Sequence, residues 1–228
     1  MSALLDAHPH MMIANESLAS MGFWRVWNKP AILANVWRNS KLNFHTERTQ
    51  TGYAYNIDYP YSPDADAIRV AGDKIYKPAT LMLHGDPGLL DRLQEVLRSS
   101  DQVVHPVRNP FDVIATMHNR SGAPLRDRAL WYFSHCNAVS AIKARLPKDM
   151  YLDCRHDVLL QQPDQTIAEL CRFVGEETPP DYLAACKKVM FNMPRQTRSS
   201  VAWDDDLIED IQRRLADYDF LDGYTFDD

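Results

Sequence analysis

Val103-Val104-His105-Pro106-Val107-Arg108-Asn109-Pro110-Phe111-Asp112-Val113-Ile114-Ala115-Thr116 is a strand that runs straight into a helix. The apolar residues from about Gln102 to Val107 suit a buried strand, although Pro106, lacking an N–H, restricts pairing there to one side or ends the strand earlier. Asn109 is a good helix N-cap, Pro110 suits the first helical position, and Asp112 falls at the capping-box position. Arg108 is thereby set beside the positive end of a helix dipole, where orphan N–H groups and a guanidinium can share one dianion such as phosphate. Thr116, four residues beyond Asp112, presents its hydroxyl on the same helical face. Spacing alone equally allows an Arg108–Asp112 ion pair at an ordinary strand–helix turn.

Working outward, a short helix to about Met117 and a long one from Pro124 to Leu146 follow, the latter with Leu130, Trp131, Phe133, Ala138, Val139 and Ile142 as its apolar face. Further on, the pattern predicts a strand at Met150–Cys154 and helices over Pro163–Val174, closed by Gly175, Tyr182–Val189 and Asp204–Tyr218. On the N-terminal side, Asp86-Pro87-Gly88 opens a helix, and two strands, one through Tyr53, Tyr55 and Ile57 and one through Ile68–Gly72 that ends at Asp73-Lys74, flank a Pro/Ser/Asp loop. Glu16 to Arg38 suggests one or two helices broken near Pro30, and Ser2 to Ala7 the end of a helix halted by Pro9. Strands alternating with helices predict an α/β fold with a mostly parallel sheet, in one domain over residues 1–228.

Composition narrows the function. Apolar residues make up 45% and charged residues 25%, as in folded globular chains, and a net charge of −6 argues against a basic footprint for nucleic acid. Cys136, Cys154, Cys171 and Cys186 lie 15 to 18 residues apart with no CxxC pair, so reduced buried thiols are expected rather than a zinc site or a disulfide framework. His8 and His10 flank Pro9 at a helix end and are read as structural. No run approaches the roughly 18 apolar residues of a membrane span and no signal-peptide pattern opens the chain, so a cytoplasmic address and no membrane partner are expected.

Arg108-x-Pro110-x-Asp112-x-x-x-Thr116 resembles the 3′-phosphate-binding motif of sulfotransferases that use 3′-phosphoadenosine 5′-phosphosulfate, with Thr116 where a Ser is usual. Leu4-Leu5-Asp6-Ala7-His8-Pro9 resembles a segment of the branch containing protein-tyrosine sulfotransferases and bacterial relatives, and Glu16, ten residues after Asp6, matches that family's glutamate base. Gly72-Asp73-Lys74 is similar to a strand end whose lysine approaches the sulfuryl group. Leu152 to Gly175 has the family's strand, turn and helix, and Arg195-Gln196-Thr197-Arg198 with Val201 and Trp203 resembles its C-terminal basic loop over the nucleotide.

The resemblance implies a three-layer fold of the P-loop-kinase type, with a central sheet between helices. It also implies 3′-phosphoadenosine 5′-phosphosulfate as donor, no metal, and a small-molecule or peptide hydroxyl or amine as acceptor. Glu16 and Lys74 would be catalytic, and Arg108, Thr116, Arg195 and Arg198 would bind the nucleotide. Asp112 is read as a cap or as orienting an arginine. The family's first strand and Gly/Ser/Thr-rich 5′-phosphosulfate loop precede the Leu-Leu-Asp-Ala-His-Pro segment, a place taken here by Met1. A chain inactive as it stands is therefore expected, from a truncated reading frame or a degenerate enzyme. The second reading is a non-catalytic nucleotide-binding or protein-interaction domain; a kinase is disfavoured because no G-x-x-x-x-G-K-[ST] occurs. Acceptor identity and oligomeric state are left open.

Overall fold

The structure is a computed structural model that describes residues 1–17, 28–45, 57–59, 65–98 and 102–228. It is mixed α/β, and the chain divides into two compact units. One comprises Met1–Gln102 with Gln162–Phe191, the other Val103–Gln161 with Asn192–Asp228.

The first unit is built on a parallel pair, β1 (Met11–Asn15) and β2 (Val70–Lys74), in register from Met11 opposite Val70 to Asn15 opposite Lys74. Helix α1 (Ser2–Asp6) precedes β1, and α2 (Lys29–His45), α3 (Lys77–Gly85) and α4 (Gly88–Leu97) follow in chain order. Ile32 and Val36, one helical turn apart, are buried on α2, and Val36 packs with Met12 and Ala14 of β1. Asp6 accounts for part of the opening segment: its buried carboxylate accepts from the Ile13 N–H at 2.7 Å and the Ser40 hydroxyl at 2.6 Å, tying α1, β1 and α2 together.

The second unit holds the strand–helix passage on which the sequence reading turned. Strand β3 (Val103–Val107) pairs in parallel with β4 (Tyr151–Arg155), and Pro106, opposite Cys154, has that one neighbour among the described residues. Helix α5 (Pro110–Ser121) starts where predicted: the Asn109 side chain accepts from the Phe111 N–H at 3.0 Å, and Gly122, at φ 68°, ends it in the left-handed conformation. Helix α6 (Leu125–Arg145) precedes β4, and α7 (His156–Gln161) follows it. Helices α8 (Pro163–Phe173) and α9 (Pro180–Lys188) belong to the first unit, and α10 (Asp205–Leu215) to the second. Phe111, Ile114, Phe133, Ile211 and Leu221 form the centre of the second unit's core.

Several expectations need correction. Among the described residues the single central sheet is two separate two-stranded parallel ladders. The helix expected to break near Pro30 has Pro30 in its first turn, where its missing N–H costs nothing, while residues 18–27 lie outside the described part. The strand through Tyr53 and Tyr55 also falls outside it. On α6 the buried face runs through Ala129, Phe133 and Cys136, leaving Leu130 and Trp131 exposed. All four cysteines are free and buried. No helix among the described residues is long and apolar enough to cross a membrane.

Candidate functional site

In the first unit, Glu16 and Lys74 meet at the C-terminal ends of β1 and β2. Such ends of parallel strands are where ligands of α/β proteins gather, because helices cover the faces and leave the strand ends open. Lys74 Nζ donates to Glu16 Oε1 at 2.9 Å and to Asn15 Oδ1 at 3.1 Å, and the Glu16 N–H donates to the Lys74 carbonyl at 2.9 Å. Glu16 sits at φ 60°, a left-handed conformation that turns the chain sharply off the end of β1. Around it, the Ser17 N–H donates to Asp73 Oδ1 at 3.1 Å, the Asn35 side-chain amide donates to Ser17 Oγ, and Asn39 Oδ1 accepts from the Asn15 N–H at 2.7 Å. A carboxylate and a cation thus share one strand edge, half-exposed and hydrogen-bonded to each other.

In the second unit, Arg108 leaves the end of β3 just ahead of the capped start of α5. Its guanidinium donates through Nη2 to the Arg195 carbonyl and, at 3.2 Å, to Thr197 Oγ1. Both acceptors are neutral, so they position the guanidinium without cancelling its charge. Asp112 does not pair with it. The Asp112 carboxylate, 1% exposed, accepts from the Arg198 N–H at 3.0 Å and from Arg198 Nη2 at 3.3 Å. Of the two readings that spacing left open, the geometry excludes the Arg108–Asp112 ion pair and also the capping box at Asp112.

Arg198 itself is 7% exposed, and its Nη1 donates to the Thr225 and Phe226 carbonyls at 3.1 and 3.0 Å. The Trp203 indole N–H returns to the Arg198 carbonyl at 2.9 Å. Arg198 is therefore an internal clamp on the loop that carries Arg195 and Thr197, and Arg195 is the exposed arginine of that loop. Thr116 is half-buried, with its hydroxyl donating to the Asp112 carbonyl at 2.7 Å, so its lone pairs face outward while its proton is in use.

One neighbour of Arg108 escaped the sequence reading. Val107 pairs with Arg155, so Arg108 and His156 leave adjacent strands side by side. Burial, then the nearby Arg108 charge, holds the His156 imidazole below its ordinary pKa. The Nε atom of Arg108 and the Nδ1 atom of His156 are both buried and have no hydrogen-bond partner among the described residues. A donor left unsatisfied beside a helix N-terminus fits an anion as the missing acceptor. The rule that parallel strands carry their sites at their C-terminal ends would have pointed to His156, the residue directly after β4. A cavity of about 150 Å³ adjoins Arg108, lined by His105, Val107, Tyr132, His135 and Phe220.

No family model matches the chain, and a search of curated proteins returns no match. Among solved structures, the sulfotransferase domain from the curacin biosynthetic pathway is similar at 16% identity and a TM-score of 0.40, over 63% of this chain and 51% of that one. The sulfotransferase domain from the Synechococcus PCC 7002 olefin synthase is similar at 14% identity and a TM-score of 0.47, over 91% of this chain and 76% of that one. The match to the curacin domain thus spans about half the length of that domain.

Proposed function

We propose that this chain is a sulfotransferase-type domain that recognises 3′-phosphoadenosine 5′-phosphosulfate, with Arg108 and Thr116 taking the 3′-phosphate and Arg195 closing over the nucleotide. Within this reading, Arg198 acts as the clamp that presents Arg195 and Thr197 rather than as a ligand. The fold would be the three-layer, P-loop-kinase-like architecture of such enzymes. One observation carries the reading: Arg108 and the Arg195–Arg198 loop, assigned on separate sequence grounds to one nucleotide, are joined by the hydrogen bonds of Arg108 to Arg195 and Thr197.

The chemistry follows from the residue types. An acceptor O–H or N–H would lose its proton to the Glu16 carboxylate as its heteroatom attacks sulfur. The new S–O or S–N bond would form as the bond from sulfur to the 5′-phosphate oxygen breaks, and the leaving 3′-phosphoadenosine 5′-phosphate would keep that electron pair. Lys74 would neutralise the charge gathering on the transferring group. The Lys74–Glu16 ion pair must open for this, and between exposed groups that costs little.

Calorimetric titration with 3′-phosphoadenosine 5′-phosphate, with 5′-AMP as control, reads the 3′-phosphate subsite directly. A charge-assisted contact is worth about 1.5–3 kcal/mol, so Arg108→Ala should weaken binding by about 10- to 150-fold and erase the preference over 5′-AMP. Equal binding of the two nucleotides by the unaltered chain would sink the assignment.

A further inference from the structure

We propose that His8, His10 and Glu176 form a binding site for one divalent transition-metal ion of the zinc class, with three protein ligands and a fourth position open to water. Their ligand atoms lie within 4.8 Å of one another, all within the first unit. Two imidazoles and a carboxylate are the donor set that zinc accepts in its three-ligand sites, in which water completes the tetrahedron.

What separates this cluster from a chance grouping is how firmly each ligand is placed. Glu176 follows α8 through a Schellman cap: the Gly175 N–H donates to the Arg172 carbonyl at 3.0 Å and the Glu176 N–H to the Cys171 carbonyl at 2.9 Å, with Gly175 at φ 83°. The carboxylate is 5% exposed. Opposite it, the His10 backbone is held by β2, since its carbonyl accepts from the Arg69 and Val70 N–H groups at 2.8 and 3.1 Å. The His10 Nδ1 atom approaches Glu176 Oε2 at 2.8 Å.

His8 is 3% exposed and packs edge-on against the Tyr182 ring at 5.0 Å. Its tautomer is fixed by its neighbours. The His10 N–H donates to His8 Nδ1 at 3.2 Å, so Nδ1 carries the lone pair, and Nε2–H donates to the Glu177 carbonyl at 2.9 Å; an ion at this site would take the Nδ1 lone pair in place of the His10 N–H. A ligating histidine characteristically gives its other N–H to a backbone carbonyl in this way, which orients the ring toward the metal. Ligand atoms on a tetrahedral zinc stand about 3.4 Å apart, given Zn–N and Zn–O lengths near 2.0–2.1 Å. An ion would therefore slip between His10 and Glu176 and draw His8 inward by roughly an ångström. Arg69, whose Nη1 lies 3.8 Å from Glu176 Oε2, has a side chain 68% exposed and can swing away as the cation arrives.

The three ligands come from the turn before β1 and from the cap of α8, segments about 166 positions apart in sequence. The ion is thus a staple between the two stretches of chain that make up the first unit, and binding to the folded form alone would raise its stability.

The test is titration of the full chain with Co²⁺, followed by visible absorption, and with Zn²⁺ in competition with a chromophoric chelator. The expected result is one equivalent bound, a d–d spectrum of tetrahedral type without a thiolate charge-transfer band, and a melting temperature raised by Zn²⁺. Since loss of a mere orienting partner costs 10–100-fold in metal affinity, His10→Ala and Glu176→Gln should each lose on the order of 100-fold or more. Far-UV circular dichroism checks that these variants fold, and His84→Ala, an exposed histidine on α3, should bind as the parent does. Absence of stoichiometric binding overturns the proposal. So does a thiolate band, or affinity that follows His84 and ignores His10 and Glu176.

Discussion

Asp112→Asn is the perturbation that tests the clamp at the strand–helix junction. The Asp112 and Arg198 side chains are 2% and 8% exposed, so the pair is desolvated, and breaking a buried pair from one side costs about 3–5 kcal/mol because a charge is left behind. Asparagine keeps an oxygen for the Arg198 N–H, and the guanidinium keeps the Thr225 and Phe226 carbonyls, so only the charge-assisted share is lost. That share is about 1.5–3 kcal/mol for Asn, rising toward about 3–5 kcal/mol for Ala. Against a typical stability of about 5–15 kcal/mol, this shifts the urea midpoint plainly.

Trp203 reports the event locally, because its indole N–H donates to the Arg198 carbonyl and its ring meets Phe111 at 5.5 Å and Phe226 at 5.8 Å. Urea unfolding followed by tryptophan emission is therefore the assay, with Asp112→Ala, Arg198→Met and their combination closing a double-mutant cycle. The pair should cost less than the sum of its parts, since neither leaves the other's charge stranded. Asp112→Asn within about 0.5 kcal/mol of the parent, or costs that simply add, would refute the clamp. A loosened clamp also frees the Arg195 carbonyl and Thr197 hydroxyl that position Arg108, so 3′-phosphoadenosine 5′-phosphate affinity should fall in Asp112→Asn without loss of a group that touches the nucleotide.

Two further outcomes are expected. His156 has its pKa lowered from 6.5 in the folded chain, so the unfolded state binds the proton more readily; the associated stability is present above pH 6.5 and is lost as pH falls through the folded-state pKa, which chemical denaturation from pH 8 to pH 5 should record and His156→Gln should flatten. Lys74→Ala should change stability by less than about 1 kcal/mol, because the Lys74–Glu16 pair is exposed, while abolishing sulfuryl transfer in any form of the protein that shows it; a full loss of folding, or unaltered turnover, would count against the assigned role.

The elements legible in the sequence are those whose signals are local. Helix α5 carries cap, first-turn proline and terminal glycine within fourteen residues, Asn109 to Gly122, and begins where those signals placed it. Strand β1 went unread because Met11-Met12-Ile13-Ala14-Asn15 is short, has no clear alternation and follows Pro9 closely; what makes it a strand is pairing with β2, some sixty residues away. Strand β2, by contrast, ends at Lys74 as its sequence suggests and begins at Val70, two residues after Ile68, with the Glu16 N–H donating to the Lys74 carbonyl at that end. Leu130 and Trp131 were read as core because they are large and apolar, yet α6 can bury one stripe only, and Ala129, Phe133 and Cys136 hold it.

The site divides along the same line. Arg108 beside a capped helix is a statement about neighbours in sequence, and it could be read as far as a choice between an anion site and an ion pair with Asp112. The residues that decide the choice lie far off: Arg198 takes both oxygens of Asp112, and Thr225 and Phe226 take the remaining arm of Arg198. Because Asp112 is consumed there, the acceptors of Arg108 among the described residues are neutral and its Nε still lacks one. An arginine so placed has its geometry fixed by the protein and its charge left for a ligand, and this preorganisation, rather than the arginine alone, is what distinguishes an anion site from a solvated side chain.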